Sequence, residues 1–239
     1  PRSTLFPYTT LFRSIVLGVR NGATLRLEGS FTQDVTIHYS EGRSDDQPLT
    51  VELVLGQVAG DGGRRVPTLD LVHNTDSLHL VSLGGGSNTF GANDLGGTLS
   101  DLIISGNARL DIIGDLDRSF QDRTPVSIDA SANEKGVSIE LSDSDFVTVI
   151  GSQGDDIFEI TEAETVEIQG GIGDNRYEIE ADEKVTIVNG DGNNVYEVDR
   201  ADKVTIISGN GNNSYDFWRS DDITVTAGDG EHSVDIDDA

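Results

Sequence analysis

From Val147 the chain reads VTVIGSQGDDIFEITEAET, then VEIQGGIGDNRYEIEADEK from Val166, VTIVNGDGNNVYEVDRADK from Val185, VTIISGNGNNSYDFWRSDD from Val204 and ITVTAGDGEHSVDIDDA from Ile223. Written this way the residues align in columns nineteen apart with no insertion. Gly154, Gly173, Gly192, Gly211 and Gly230 share one column; Ser152, Gly171, Gly190, Gly209 and Gly228 share another. Apolar columns run Val147, Val166, Val185, Val204, Ile223 and Val149, Ile168, Ile187, Ile206, Val225. After the glycines come Phe158, Tyr177, Tyr196, Tyr215, Val234 and then Ile160, Ile179, Val198, Phe217, Ile236.

Each unit thus holds two segments whose apolar residues alternate, the period of a strand. No apolar stripe with helical spacing is long enough to compete. A unit of this size cannot bury its apolar face alone. Stacking the units solves this, because each strand pairs with its equivalent one coil on, about 4.8 Å away. The expected fold is all-β: a right-handed parallel β-solenoid with two strands per 19-residue coil. A glycine turn joins the strands on one side and an acidic segment such as 181–183 on the other.

Upstream the pattern loosens. Alternating pairs occur at Leu69/Leu71, Leu78/Leu80, Leu102/Ile104, Leu110/Ile112, Val126/Ile128 and Ile139/Leu141, so residues 64–146 read as irregular coils of the same solenoid. Residues 15–63 also alternate, at 24–28 and 50–55, and fit either more solenoid or a small β-sandwich. Residues 1–14, PRSTLFPYTTLFRS, resemble the translation of a DNA-sequencing adapter and are set aside from fold reasoning. The natural sequence is then expected to begin near Ile15 and to run beyond Ala239.

Composition narrows the function classes. The chain has no Cys and 43 acids against 16 bases. A disulfide framework and thiolate metal sites are thereby excluded. Arg2 and Arg13 lie in the adapter-like stretch, so the remainder carries about −29. That charge argues against nucleic acid or anionic lipid as partner and favours cations or basic partners. No apolar run approaches the roughly 20 residues of a membrane span. With 28 glycines and 5 prolines, the chain has the composition of many tight turns rather than of disorder.

The turns Gly151-Ser-Gln-Gly-Asp-Asp-Ile-Phe-Glu159 and Gly170-Gly-Ile-Gly-Asp-Asn-Arg-Tyr-Glu178 resemble the nonapeptide of RTX (hemolysin-type calcium-binding) repeats. The resemblance implies calcium in an oxygen cage, six to eight ligands strong. Asp155, Asp156 and Asp174 with Asn175 would be its ligands, and Gly151, Gly154, Gly171 and Gly173 would shape the turn. The array departs from the family in two ways. The motif's aspartate column reads Asp156, Asn175, Asn194, Asn213, His232, and the second turn of each coil lacks glycine. Stacked asparagines offer a metal-free alternative, a hydrogen-bonded amide ladder.

Over 68–161, the phrases GGTLSDLIISGNARLDIIG (96–114) and VSIDASA (126–132) resemble bacterial S-layer and giant adhesin proteins. This resemblance implies an exported, calcium-dependent surface protein with a secretion signal beyond Ala239. Its partners would be calcium ions, other copies of the surface protein or surface polysaccharide. The alternative is a non-catalytic β-solenoid module of a secreted polysaccharide-modifying enzyme or RTX exoprotein.

Register makes a further expectation. Glu159, Glu178, Glu197, Asp216 and Asp235 should point to solvent in one column, with Glu180, Asp199 and Asp237 on the same face. Glu164, Glu183, Asp202 and Asp221 should line the second turn, with Arg176, Lys184 and Lys203 as the offsetting charges. These columns read either as a solvated face that prevents aggregation or as a cation site. No catalytic constellation is visible. His38, His73, His79 and His232 are scattered, and His73 and His79 read as surface residues flanking a turn. The column Thr148, Thr186, Thr205, Thr224 suggests ice binding only weakly, because Ile150, Gln169, Val188, Ile207 and Thr226 stand beside it.

Overall fold

The computed structural model describes residues 2–5, 14–19, 24–28, 34–39, 49–54, 68–72, 77–94, 99–116 and 125–237. Side chains are described for 24–28, 49–54, 77–91, 99–114, 116 and 125–237. These residues form strands and turns, with no helix among them. Every strand pairing is parallel, and each strand pairs with the next but one in sequence, except that two long strands, Ile157–Gly171 and Arg176–Asn189, also pair with each other and with the strands Phe146–Ile150 and Val195–Asp199 that adjoin them in sequence. Two parallel sheets result, face to face, with one strand in each per coil. The fold is the expected parallel β-solenoid.

One sheet runs through Arg2–Leu5, Thr24–Glu28, Leu49–Val54, Ser77–Ser82, Asp101–Gly106, Pro125–Asn133 and Phe146–Ile150. The other begins with Ser14–Val19, Asp34–Tyr39, Thr68–Val72, Ser87–Asp94, Arg109–Asp115 and Val137–Leu141. The strands Ile157–Gly171 and Arg176–Asn189 are long enough to turn the second corner and serve both sheets. The described strands within 15–63 continue the solenoid and form no separate sandwich. The partners are Val35 with Leu69 and Leu78 with Leu102 upstream, so coil length varies there. An offset of nineteen begins with Ser138 beside Ile157, one strand before Val147.

The inward columns fill the space between the sheets. Val147, Val166, Val185 and Val204, with Val149, Ile168, Ile187 and Ile206, are all buried. Opposite them Phe158, Tyr177, Tyr196 and Tyr215 stack, the tyrosine rings 5.2 and 5.0 Å apart and nearly parallel. Such pairs add about 0.5–1.5 kcal/mol each beyond their burial. Upstream, Leu78, Leu80, Leu102, Ile104, Leu110, Ile112, Val126, Ile128, Ile139 and Leu141 occupy the same interior. The side chains of Leu69 and Leu71 lie outside the described residues. In the last coil Val234 and Ile236 occupy these columns but are 56% and 50% exposed.

The second corner shows where strict periodicity yields to chemistry. A small residue turns inward there: Ser144, Ala163, Ala201 and Ser220, all buried. The same column places Asp182 in the intervening coil. Burying an unpaired carboxylate is costly. The coil slips by one residue instead, so Ala181 pairs with Ala163 and takes the buried place while Asp182 is exposed. Asp143, Glu162, Arg200 and Arg219, each one residue before the small residue, have left-handed φ of 56°, 55°, 66° and 51°. The slipped coil has no such residue and keeps its strand unbroken from Arg176 to Asn189.

Candidate functional site at the glycine turns

The glycine turn carries three columns rich in short polar side chains, and the structure fixes the direction of each. The column of Asp156 points inward. Asp156 is fully buried, and its carboxylate accepts from the Val137 backbone N–H at 2.8 Å, the Ser152 N–H at 2.7 Å and the Ser152 hydroxyl at 2.7 Å. Desolvation raises its pKa above the ordinary 3.8, opposed by these donors. Asn175, Asn194 and Asn213 follow in the same column. Each Oδ1 accepts the backbone N–H of the residue one coil earlier: Asp156 at 2.8 Å, Asn175 at 2.9 Å and Asn194 at 2.9 Å. The Asn194 Nδ2 donates to Gly192 O of its own turn at 3.0 Å and to Asn213 Oδ1 of the following coil at 3.0 Å.

One residue earlier the polarity reverses. Asp155 Oδ1 accepts from the Asp174 N–H at 2.8 Å, Asp174 from Asn193 at 2.7 Å, Asn193 from Asn212 at 2.9 Å and Asn212 from Glu231 at 3.0 Å. Here every side chain reaches forward to the following coil, and the column is exposed. A third column at the tip repeats this polarity: Asp191 takes the Asn210 N–H at 2.7 Å and Asn210 takes that of Asp229 at 2.9 Å. Each coil is thus gripped from both neighbours by side chain-to-backbone bonds.

Glycine is required where the coils approach most closely. Gly192 has φ of 150°, and a Cβ there would collide with the carbonyl oxygen of Gly173. At Gly170 a Cβ would meet the Tyr177 hydroxyl. That hydroxyl is held inside the stack by Asn189, whose Oδ1 accepts from Tyr177 at 3.1 Å and whose Nδ2 donates to Tyr196 at 3.1 Å. Burial pushes both phenols well above their ordinary value. Ser208 takes the same place one coil on, 2.6 Å from the Tyr215 hydroxyl.

The eight residues that the RTX resemblance assigns to calcium are brought together at this turn, where several of their oxygens accept hydrogen bonds. Asp156 faces N–H and O–H donors, and Asp155 and Asp174 each take a backbone N–H. The backbone carbonyls run along the solenoid axis rather than into a cage. Gly171 O accepts from Gly190 N at 2.7 Å, Asp156 O from Arg176 N at 2.9 Å and Asn175 O from Val195 N at 2.9 Å. A cation needs converging lone pairs, and this donor set is the reverse. Among the described residues no group of three or more His, Asp or Glu gathers as a metal cage. In this conformation the Asp156 carboxylate meets hydrogen-bond donors.

Outward charges are more evenly offset than their columns suggest. Glu159, Glu178, Glu197, Asp216 and Asp235 do point outward. Arg176 bridges Glu178 and, one coil on, Glu197 at 3.0 Å. Lys184 pairs with Glu167 at 2.8 Å. Two further arginines, not anticipated from the columns, reach back one coil: Arg200 to Glu180, and Arg219 to Asp199 at 2.5 Å. Their signal in the sequence was an arginine twenty residues after an acid, twice. His79, expected as a surface residue flanking a turn, differs from that reading. It lies in mid-strand, half-buried, with Nε2 2.8 Å from the Ser105 hydroxyl, and burial lowers its pKa. His38 and His73 fall outside the described side chains.

No helix among the described residues is long and apolar enough to cross a membrane. No protein-family model matches the chain, and no curated protein or solved structure is significantly similar to it.

Proposed function

We propose that this chain is a non-catalytic structural segment of an exported bacterial surface protein of S-layer or adhesin type, in which side-chain ladders close the turns. The observation that carries the reading is the opposed pair of columns, Asp155 to Glu231 and Asp156 to Asn213, binding each coil to both neighbours. Such a stack is a stiff, self-propagating spacer that needs no disulfide, which suits export into a medium of uncertain redox state.

Calcium enters this reading as a counter-ion of the outward carboxylate columns rather than as a caged ligand. Like charges about 4.8 Å apart repel by roughly 3–4 kcal/mol at an effective dielectric near 20, so cations of either valence relieve the face in proportion to ionic strength and charge.

Protease shaving of intact cells of the bacterium that carries the gene tests the surface assignment. Peptides of 147–237 released without lysis support it. Their recovery solely from the lysed soluble fraction would overturn it.

A further inference from the structure

The chain's single tryptophan breaks the repeat of the acidic face. Column by column, the outward position two after the carboxylate reads Glu180, Asp199, Trp218, Asp237. Trp218 stands in register between Asp199 and Asp237 and is 52% exposed. The neighbouring column reads Arg200, Arg219, Asp238. A rule links the two columns: Arg200 pairs with Glu180, and Arg219 pairs with Asp199, each arginine reaching the acid twenty residues back. At Trp218 both members change. The acid becomes an indole, and the position twenty residues on, where an arginine would lie against it, is Asp238.

The molecule itself shows what such a ring holds. The Arg219 guanidinium lies 4.7 Å from the Trp218 centroid while its nitrogens take Asp199 at 3.1 and 2.5 Å. Indole face and carboxylate together hold a planar cation on that side. On the other side Asp237 stands beside the ring in the next strand, and among the described residues no arginine is paired with it. The surrounding face is acidic, which repels anionic ligands and draws cationic ones.

We infer that Trp218, with Asp237 beside it, is a docking point for an arginine side chain of a basic partner protein, the indole stacking on the guanidinium and the carboxylate pairing with it. Arginine is favoured over lysine because its planar, weakly hydrated head stacks on an aromatic face while pairing in the plane. This inference does not depend on how the turns are closed.

Because Trp218 is the only tryptophan, its emission reports on the site without labelling. The full chain is titrated with labelled penta-arginine and penta-lysine peptides, read by anisotropy and by Trp218 emission, with a neutral cello-oligosaccharide as third probe. Expected is an emission shift with penta-arginine and binding about two- to fivefold tighter than penta-lysine, the range a surface cation–π contact gives. Trp218→Ala removes the preference but leaves penta-lysine binding unchanged, and Asp237→Asn weakens penta-arginine. Equal affinity for the two peptides, or a preference that survives Trp218→Ala, overturns the site and leaves only a diffuse acidic face. So does an emission response confined to the neutral oligosaccharide. Trp218 is exposed, and an unchanged far-ultraviolet spectrum of Trp218→Ala separates loss of the site from loss of folding.

Discussion

The backbone N–H of Asn175 donates to Oδ1 of Asn194, one coil further on, at 2.9 Å. One residue earlier the bond runs the other way, from the Asn193 N–H to Oδ1 of Asp174 at 2.7 Å. Two columns of the same residue type thus clamp each turn from opposite sides. The inner column is buried and the outer exposed, so their energetic weights differ.

Asn194→Ala leaves the buried Asn175 N–H without its acceptor and removes the donors to Gly192 and Asn213. One unsatisfied buried group costs about 1–3 kcal/mol. Urea denaturation should show a loss in this range or above it, whereas Asn212→Ala in the exposed column should cost under about 1 kcal/mol. Asn194→Asp should destabilise more at neutral than at acid pH, because its carboxylate would face the oxygens of Gly192 and Asn213. Equal losses for Asn194→Ala and Asn212→Ala would contradict the assignment of weight to the inner column.

Asp156 gives the stack a pH dependence of known sign. Its folded pKa is raised above 3.8 by burial. Its protonated form is therefore the one the fold prefers. That contribution is fully present below the ordinary carboxylate range and is lost as the pH rises through the folded value. Melting at pH 4 to 7 should show stability falling with rising pH, and Asp156→Asn should flatten part of the slope. A wild-type slope identical to that of Asp156→Asn would refute the burial argument. Asp156→Ala should be worse than Asp156→Asn at every pH, since it strands the donors of Val137 and Ser152.

Glycines differ sharply in what they permit. Gly192→Ala forces a side chain against the Gly173 carbonyl from a left-handed backbone, and thermal melting should show a loss of about 1–3 kcal/mol or failure to fold. Gly85→Ala meets nothing within 4 Å and should be near neutral. A neutral Gly192→Ala would mean the coils stand further apart than described.

Salt should stabilise the chain without regard to the identity of the cation. Between about 10 mM and about 150 mM sodium chloride the Debye length falls from about 30 Å to about 8 Å. The melting temperature should rise across that range, and calcium and magnesium should act alike. A rise with calcium that magnesium at equal concentration does not give would instead favour a specific site.

Much of the fold was legible because one period governs both burial and register. A column such as Tyr177, Tyr196, Tyr215 can only be inward if its neighbours Glu178, Glu197 and Asp216 are outward. The slip at Ala181 was not legible, because the sequence keeps its nineteen-residue count and only the cost of burying Asp182 reveals it. Upstream, where Val35 pairs with Leu69, unequal spacing in the sequence hides the pairing although the alternation survives. At the turns, residue types were legible but polarity was not. Asp156 reads equally well as a cation ligand or as an acceptor for Val137 and Ser152, and only direction separates the two. Trp218 passed unremarked because a column reading weighs what repeats, and this residue matters by breaking the repeat.

The measurement closest to the central claim is thermal melting of the full chain by circular dichroism in a strong chelator, against calcium and against magnesium at matched ionic strength. Ladders formed by Asn175, Asn194 and Asn213 require no metal, so the full β-signal and an equal melting temperature are expected in all three. A chain that is unfolded in chelator and magnesium and gains its β-signal in calcium alone would contradict the account. The turns of Asp155, Asp156 and Asp174 would then have to open their carboxylates to the ion.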